Sequence, residues 1–76
     1  MSAIGTFVEF IELKEKGLFI TNKDLKHGKI LSVGKKADID IEAGDRAIIS
    51  TVKVIQDMIE GETHYFVDQN AVVKKL

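Results

Sequence analysis

The sequence contains no cysteine and no proline, and the lack of cysteine excludes two common ways of stabilising a small protein. Without cysteine the chain forms neither disulfide bonds nor zinc sites with thiolate ligands. A chain of 76 residues buries only about 60% of the surface that its unfolded form exposes. Domains this small usually depend on a disulfide, a metal or a partner subunit. Because His27 and His64 are the only imidazoles and lie far apart in sequence, we expect self-association.

The sequence also lacks an excess of charge and a long hydrophobic run. Eleven basic residues face twelve acidic ones, for a net charge of -1, so electrostatics gives no reason to expect nucleic acid or an anionic membrane as a partner. No apolar run approaches the roughly 20 residues of a membrane-spanning helix. The start, MSAIGTFVEF, lacks the basic region and cleavage signature of a signal peptide. We therefore expect one cytoplasmic domain, residues 1–76.

Six glycines divide the chain into short apolar runs, which is typical of all-β domains. Residues 6–15 are rich in β-branched and aromatic types and predict a strand, with a short amphipathic helix as the alternative. The segment ADIDIEAGD alternates Ile39, Ile41 and Ala43 with acidic residues, which is the period of a half-buried strand.

Further strands are predicted in GKILSVG, GDRAIIS, TVKVIQDMI, THYFVD and the C-terminal run. The pair Glu60-Gly61 predicts a tight hairpin connection, and Asn70 is a candidate cap for a short turn. Six or so short strands with turn glycines predict a small, partly open β-barrel.

Residues that carry chemistry are few. The acidic set Asp38, Asp40, Glu42 and Asp45 matches the ligand type of a hard-cation site, but alternation places the first three on the solvent face of a strand, and their spacing matches no EF-hand loop.

Both histidines have structural interpretations. His64, beside Tyr65, is interpreted as a packed or surface histidine, and His27 as a turn residue. Ser32, Ser50 and Thr51 have no histidine or carboxylate at the spacing of a nucleophilic triad. We expect a binding or assembly protein, not an enzyme, without metal or cofactor.

Three segments, read in order, resemble the GroES-like co-chaperonin family. They are GKILSVGK (residues 28–35), IEAGDRAII (residues 41–49) and IEGETHYFVDQNAVVKKL (residues 59–76). The interval between the second and third segments matches without a gap. The resemblance implies a GroES-like, partly open β-barrel whose roof hairpin is short or missing, because only ADID remains where the family carries a longer hairpin.

The resemblance also implies a site. In the family, a long mobile loop after the first strand carries Gly-Gly-Ile-Val-Leu and binds the apical domains of a GroEL-like chaperonin. Here the candidate loop is residues 14–28, in which Lys16 replaces the first glycine. The implied chaperonin-binding residues are Gly17, Leu18, Phe19 and Ile20.

By the same resemblance, a cytoplasmic homo-oligomer, a ring of seven, forms by edge-strand pairing between the first strand of one subunit and the last strand of its neighbour. The implied interface residues are Phe7, Val8, Phe10, Ile11, Val72, Val73 and Leu76. The ring is expected to cap the chaperonin in a nucleotide-dependent way and to assist protein folding.

Two alternatives stay open. Leu18, Phe19 and Ile20 are also what a buried core strand contains, and the protein is then an oligomeric scaffold of the same fold that binds no chaperonin. A small oligonucleotide-binding barrel is the other alternative, which the near-neutral charge disfavours.

Overall fold

The computed structural model describes residues 4–13 and 24–76, and these residues form six strands and one short 3-10 helix. The predicted all-β class is confirmed. The 3-10 helix spans Gln69–Ala71. The strands are β1 (Phe7–Glu12), β2 (Leu25–Val33), β3 (Arg46–Ser50), β4 (Ile55–Ile59), β5 (Glu62–Asp68) and β6 (Val72–Lys75).

All six strands belong to one antiparallel sheet with the order β4-β5-β1-β2-β3-β6. Strands β5 and β6 follow each other in the chain but lie four strand spacings apart in the sheet, which in a flat sheet is about 19 Å. The chain from Asp68 to Val72 reaches at most about 14 Å when fully extended. The sheet must therefore curl strongly, although it does not close into a barrel.

The core lies on one face of this curled sheet. In β1, Val8 and Phe10 point into it and are fully buried. Their cross-strand neighbours continue the cluster, and the ring of Phe10 stacks on Tyr65 with centroids 5.2 Å apart. The other buried members are Ile30, Ile41, Ala47, Ile49 and Val67.

Gly28 lies in β2 because the core leaves no room for a side chain there. A Cβ at this position would lie 2.5 Å from Cδ2 of Phe10 and 2.9 Å from Cδ1 of Ile49. The Phe10 ring and the Ile49 side chain are both fully buried, so neither can move away at low cost.

The predicted hairpin at Glu60-Gly61 is confirmed. Ile59 pairs with Glu62 across a two-residue connection. Glu60 has a φ of 52° and Gly61 a φ of 80°, which are the two positive values of a type I′ turn. This turn matches the right-handed twist of the strands that it joins.

The strand predicted from the alternation in ADIDIEAGD is wrong, because residues 34–45 form a loop without strand structure. The alternation nevertheless places two side chains correctly, since Ile41 is buried and Ile39 packs against the core, while Ala43 is exposed. A local turn competes with strand pairing here: the backbone N–H of Glu42 donates to Oδ2 of Asp45, 2.8 Å away.

Two smaller expectations also fail. Val52 lies in a turn before β4 and is exposed, so it does not belong to a strand. The 3-10 helix is capped by Asp68, not by Asn70, because the backbone N–H of Asn70 donates to the Asp68 carboxylate. A carboxylate one residue before a helical turn is a stronger cap than an amide inside it.

Candidate functional site

The predicted chaperonin-binding residues Gly17, Leu18, Phe19 and Ile20 lie outside the described residues. They belong to the connection from β1, which ends at Glu12, to β2, which begins at Leu25. Of the predicted loop 14–28, residues 25–28 lie in β2. The two strands are antiparallel neighbours, so a turn of about 2–5 residues would suffice to join them.

The β1 half of the predicted subunit interface is occupied inside the chain. Residues 7–10 pair with β5 on one side, and residues 8–12 pair with β2 on the other. Val8 and Phe10 are fully buried, whereas Phe7 and Ile11 are half-buried. Over residues 8–10, β1 therefore has no open edge with which a strand of another subunit could pair. The side chains of Val8 and Phe10 are also inaccessible to another subunit.

The β6 half of the predicted interface lies at one end of the sheet and is partly exposed. Val72 packs against the core, but Val73 and Leu76 are 59% and 53% exposed. Strand β6 pairs with β3 on one side, and no strand of the described residues pairs with its other side. These side chains and this open edge are available for contact with another molecule.

A buried polar cluster on the other face of β1 was not predicted from the sequence. Glu9 is 4% exposed and lies between two polar neighbours. The hydroxyl of Ser32 donates to its Oε1 over 2.8 Å, and Nδ1 of His64 lies 2.6 Å from its Oε2. The interpretation of His64 as a packed histidine missed this carboxylate, because the two residues are far apart in sequence and meet only through the pairing of β1 with β5.

The order of the groups in this cluster decides what it can do. In a nucleophilic triad the imidazole lies between the hydroxyl and the carboxylate, so that it takes the hydroxyl proton. Here the carboxylate of Glu9 lies in the middle and accepts the hydrogen bond of the Ser32 hydroxyl directly. The arrangement therefore satisfies a buried carboxylate and does not activate a nucleophile.

His27, unlike Glu9, is a buried polar residue whose side chain is not hydrogen-bonded within the described residues. It lies in β2, not in a turn, and is 4% exposed. Both of its ring nitrogens are buried, and neither has a hydrogen-bond partner among residues 4–13 and 24–76. A buried polar atom without a partner costs about 1–3 kcal/mol, so this imidazole lowers the stability of the fold.

The acidic residues considered for a cation site do not converge. Asp45 is engaged in its own turn and lies 3.5 Å from Nζ of Lys75, while Asp38, Asp40 and Glu42 are exposed along the loop. Over residues 4–13 and 24–76, no three His, Cys, Asp or Glu side chains are grouped closely enough to hold a metal ion.

Asp68 joins the amino-terminal end of β1 to the β5–β6 corner. Oγ1 of Thr6 donates to Oδ1 of Asp68 over 2.7 Å, and the backbone N–H of Asn70 donates to Oδ2. The hydroxyl of Thr6 first, and then this backbone N–H, lower the pKa of Asp68 below its ordinary value, since both stabilise the charged form.

Two depressions of the described surface are shallow and wide open, and each has a volume of about 290 Å³. One lies where β1 and β5 diverge, between Ile11, Glu12 and Tyr65. The other runs beside β6 and is lined by Ile39, Ile41 and residues 72–75. Neither has the enclosure of a small-molecule site.

No helix in the described part of the chain is long and apolar enough to cross a lipid bilayer. No protein-family model matches the sequence, and no curated protein matches it.

Proposed function

We propose that this protein is a co-chaperonin: an oligomeric ring that caps a GroEL-like chaperonin in the presence of adenine nucleotide and so assists protein folding. The observation that carries the proposal is the position of the apolar triplet Leu18, Phe19 and Ile20. The triplet falls in a connection of twelve residues, 13–24, between two strands that are direct neighbours in the sheet. Connections much longer than a hairpin requires often carry function.

The resemblance in residues 28–76 supports the same proposal. Its first two segments correspond to β2 and to the loop leading into β3, and its third segment runs from the end of β4 through β6. The three segments thus include most of β2, β3, β5 and β6, which are four of the six strands of the curled sheet. In this proposal the fold is GroES-like, with a roof reduced to the strand-free loop of residues 34–45.

The energetics favour a ring over a single subunit. Burying each apolar side chain of the triplet contributes roughly 1.5–3 kcal/mol, whereas ordering a loop costs about 1–2 kcal/mol per residue for the backbone. One loop therefore binds weakly, and several identical loops on one ring bind strongly because the linked sites raise the effective concentration. A ring of seven engages every apical domain of a sevenfold chaperonin at once.

The test is binding to a bacterial chaperonin with and without ADP, measured by size-exclusion chromatography and native mass spectrometry. We expect co-elution only with nucleotide. Changing Leu18, Phe19 and Ile20 together to alanine should abolish co-elution and leave the fold and the oligomer unchanged. The exposed Lys35, changed to alanine, is the control and should bind like the parent protein.

The scaffold alternative predicts a different pattern from the same experiment. If the triplet belongs to the core, the triple alanine variant unfolds, and the parent oligomer ignores the chaperonin at every nucleotide concentration. That result would overturn the co-chaperonin proposal and favour an oligomeric scaffold. Binding to single-stranded oligonucleotides that weakens as salt rises would instead favour the oligonucleotide-binding barrel.

A further inference from the structure

Of the six large exposed apolar side chains among the described residues, five lie at the two ends of the sheet, and the sixth, Ile4, precedes β1. Next to or within β4, Val52, Ile55 and Met58 are 69%, 58% and 69% exposed. Within and just after β6, Val73 and Leu76 are 59% and 53% exposed. Apolar surface gathered in this way, and not scattered singly, marks a contact with another macromolecule.

Both end strands also present unpaired backbone. In the described structure β4 pairs with β5 alone and β6 pairs with β3 alone. In the two-residue hairpin the flanking residues Ile59 and Glu62 exchange hydrogen bonds. The N–H and C=O of the preceding residue, Met58, therefore point away from β5. Open strand edges of this kind pair readily with another strand.

The charges at the two edges have opposite sign. The β4 hairpin carries Asp57, Glu60 and Glu62, all exposed, and β6 carries the exposed Lys74 and Lys75. Nζ of Lys75 also lies 3.5 Å from Asp45, so Lys74 is the less engaged of the two cations. Pairing β4 with β4, or β6 with β6, would bring like charges together. Pairing β4 with β6 brings opposite charges together, and complementary potentials of this kind select the partner.

The direction of the strands fits this pairing. Six strands alternate in direction along the sheet, so β6 of one copy, placed beside β4 of the next in a continued sheet, meets it antiparallel. The depression beside β6, lined by Ile39, Ile41 and residues 72–75, lies next to this edge and offers apolar surface to a side chain such as Met58.

We propose that copies of this chain associate head to tail, with the β4 edge of one copy hydrogen-bonded to the β6 edge of the next. The inference rests on the self-association that the proposed function includes, and it names the contact. An interface between two different surfaces of one chain closes into a ring when the rotation between copies divides a full turn. In this contact the partner of the last strand is β4 of the neighbouring copy. It is not β1, because both edges of β1 are occupied over residues 8–10.

The test uses two variants of the full chain, each blocked at one edge. Met58→Pro removes the outward N–H of β4, and proline is tolerated on an edge strand whose N–H faces solvent. Val73→Glu with Lys74→Glu reverses the charge of the β6 edge. Met58→Ala keeps the N–H and is the matched control for the first variant. Circular dichroism and thermal unfolding verify that every variant is folded.

We expect each blocked variant alone to be a monomer by analytical ultracentrifugation, with self-association weakened at least tenfold. An equimolar mixture should form a heterodimer, because one variant keeps an intact β6 edge and the other an intact β4 edge. Met58→Ala should keep the oligomer of the parent chain. A contact between two identical edges cannot give this pattern, since one of the two variants would then form a homodimer by itself.

Three results would overturn the contact: a folded blocked variant with the parent mass, a mixture that remains monomeric, or a parent chain that is monomeric at every concentration. The experiment contains no chaperonin, so its outcome is separate from the capping test. A ring that caps the chaperonin but survives both blocks would keep the proposed function and reject only the β4–β6 contact.

Discussion

At the scale of single residues, two buried polar side chains differ in whether their polar atoms are hydrogen-bonded. Glu9 and His27 are equally buried. Glu9 has Ser32 and His64 within hydrogen-bond distance, whereas the described part of the chain offers no partner to either ring nitrogen of His27. The first therefore contributes to a satisfied network, and the second costs stability.

Replacing His27 by leucine should stabilise the fold by about 1–3 kcal/mol, because an apolar side chain of similar size removes two unsatisfied buried atoms. Urea denaturation followed by circular dichroism measures the change. His64→Leu is the matched control and should act in the opposite direction, since it deprives the buried Glu9 of its hydrogen bond to imidazole, at a cost of about 1.5–3 kcal/mol. Equal effects of the two changes would contradict this account.

Acid should weaken the fold partly through Asp68. Its pKa is lowered in the folded state by Thr6 and the Asn70 N–H. A lowered pKa gives stability that is fully present above the unfolded value of about 3.9 and is lost as the pH falls through the folded value. We expect the denaturation midpoint to fall as the pH drops below about 4.

The dependence on Asp68 is tested with two variants. Asp68→Asn should flatten this part of the pH profile, and Thr6→Val, which removes the largest cause of the shift, should flatten it in part. A profile that is unchanged in both variants would remove Asp68 from the explanation of acid sensitivity.

At the scale of elements, the β4–β5 hairpin extends beyond the rest of the sheet. Strand β5 pairs with β1 over residues 65–68 and with β4 over residues 62–66, so the end of the hairpin has support from one strand pair alone. Four of the five residues of β4 are exposed. A two-stranded ribbon by itself is marginally stable, so its turn has more influence on its geometry than a turn within the core sheet has.

The turn should respond to substitution according to backbone conformation. Glu60 has a φ of 52°, a region that asparagine adopts more easily than glutamate. Glu60→Asn should therefore stabilise the protein by up to about 1 kcal/mol, while Gly61→Ala, at a φ of 80°, should destabilise it by about 1–2 kcal/mol. Thermal unfolding measures both, and a stabilising Gly61→Ala would contradict the type I′ assignment.

At the scale of the whole molecule, the sheet buries a small core and leaves apolar side chains on both end strands. A molecule of this kind gains stability when another copy covers those side chains, because binding to the folded state alone shifts the unfolding equilibrium. We therefore expect the thermal midpoint of the parent chain to rise with protein concentration, measured by calorimetry over a hundredfold range. Met58→Pro should remove this dependence, and a midpoint independent of concentration in the parent chain would argue against self-association.

Much of the fold follows from the sequence because it depends on local chemistry. Strands β1 and β5 are rich in β-branched and aromatic residues, which favour strands, and β2 and β3 each contain two β-branched residues. The turn at Glu60-Gly61 follows from two residues and their flanks. The alternation in ADIDIEAGD correctly indicates that the side chains of Ile39 and Ile41 face the core, although the segment is a loop.

Only the tertiary structure decides which strands are neighbours, and with them the sites. That β1 lies inside the sheet, while β4 and β6 lie at its ends, depends on pairings between residues far apart in the chain, which alternation within a strand does not encode. The same pairings bring His64 to Glu9 and bury the His27 ring where no other described residue bonds to it. The sequence by itself therefore determined most of the strands and the Glu60-Gly61 turn, because these depend on local propensity. The tertiary structure decided the edges and the buried polar contacts, because these depend on which strands meet.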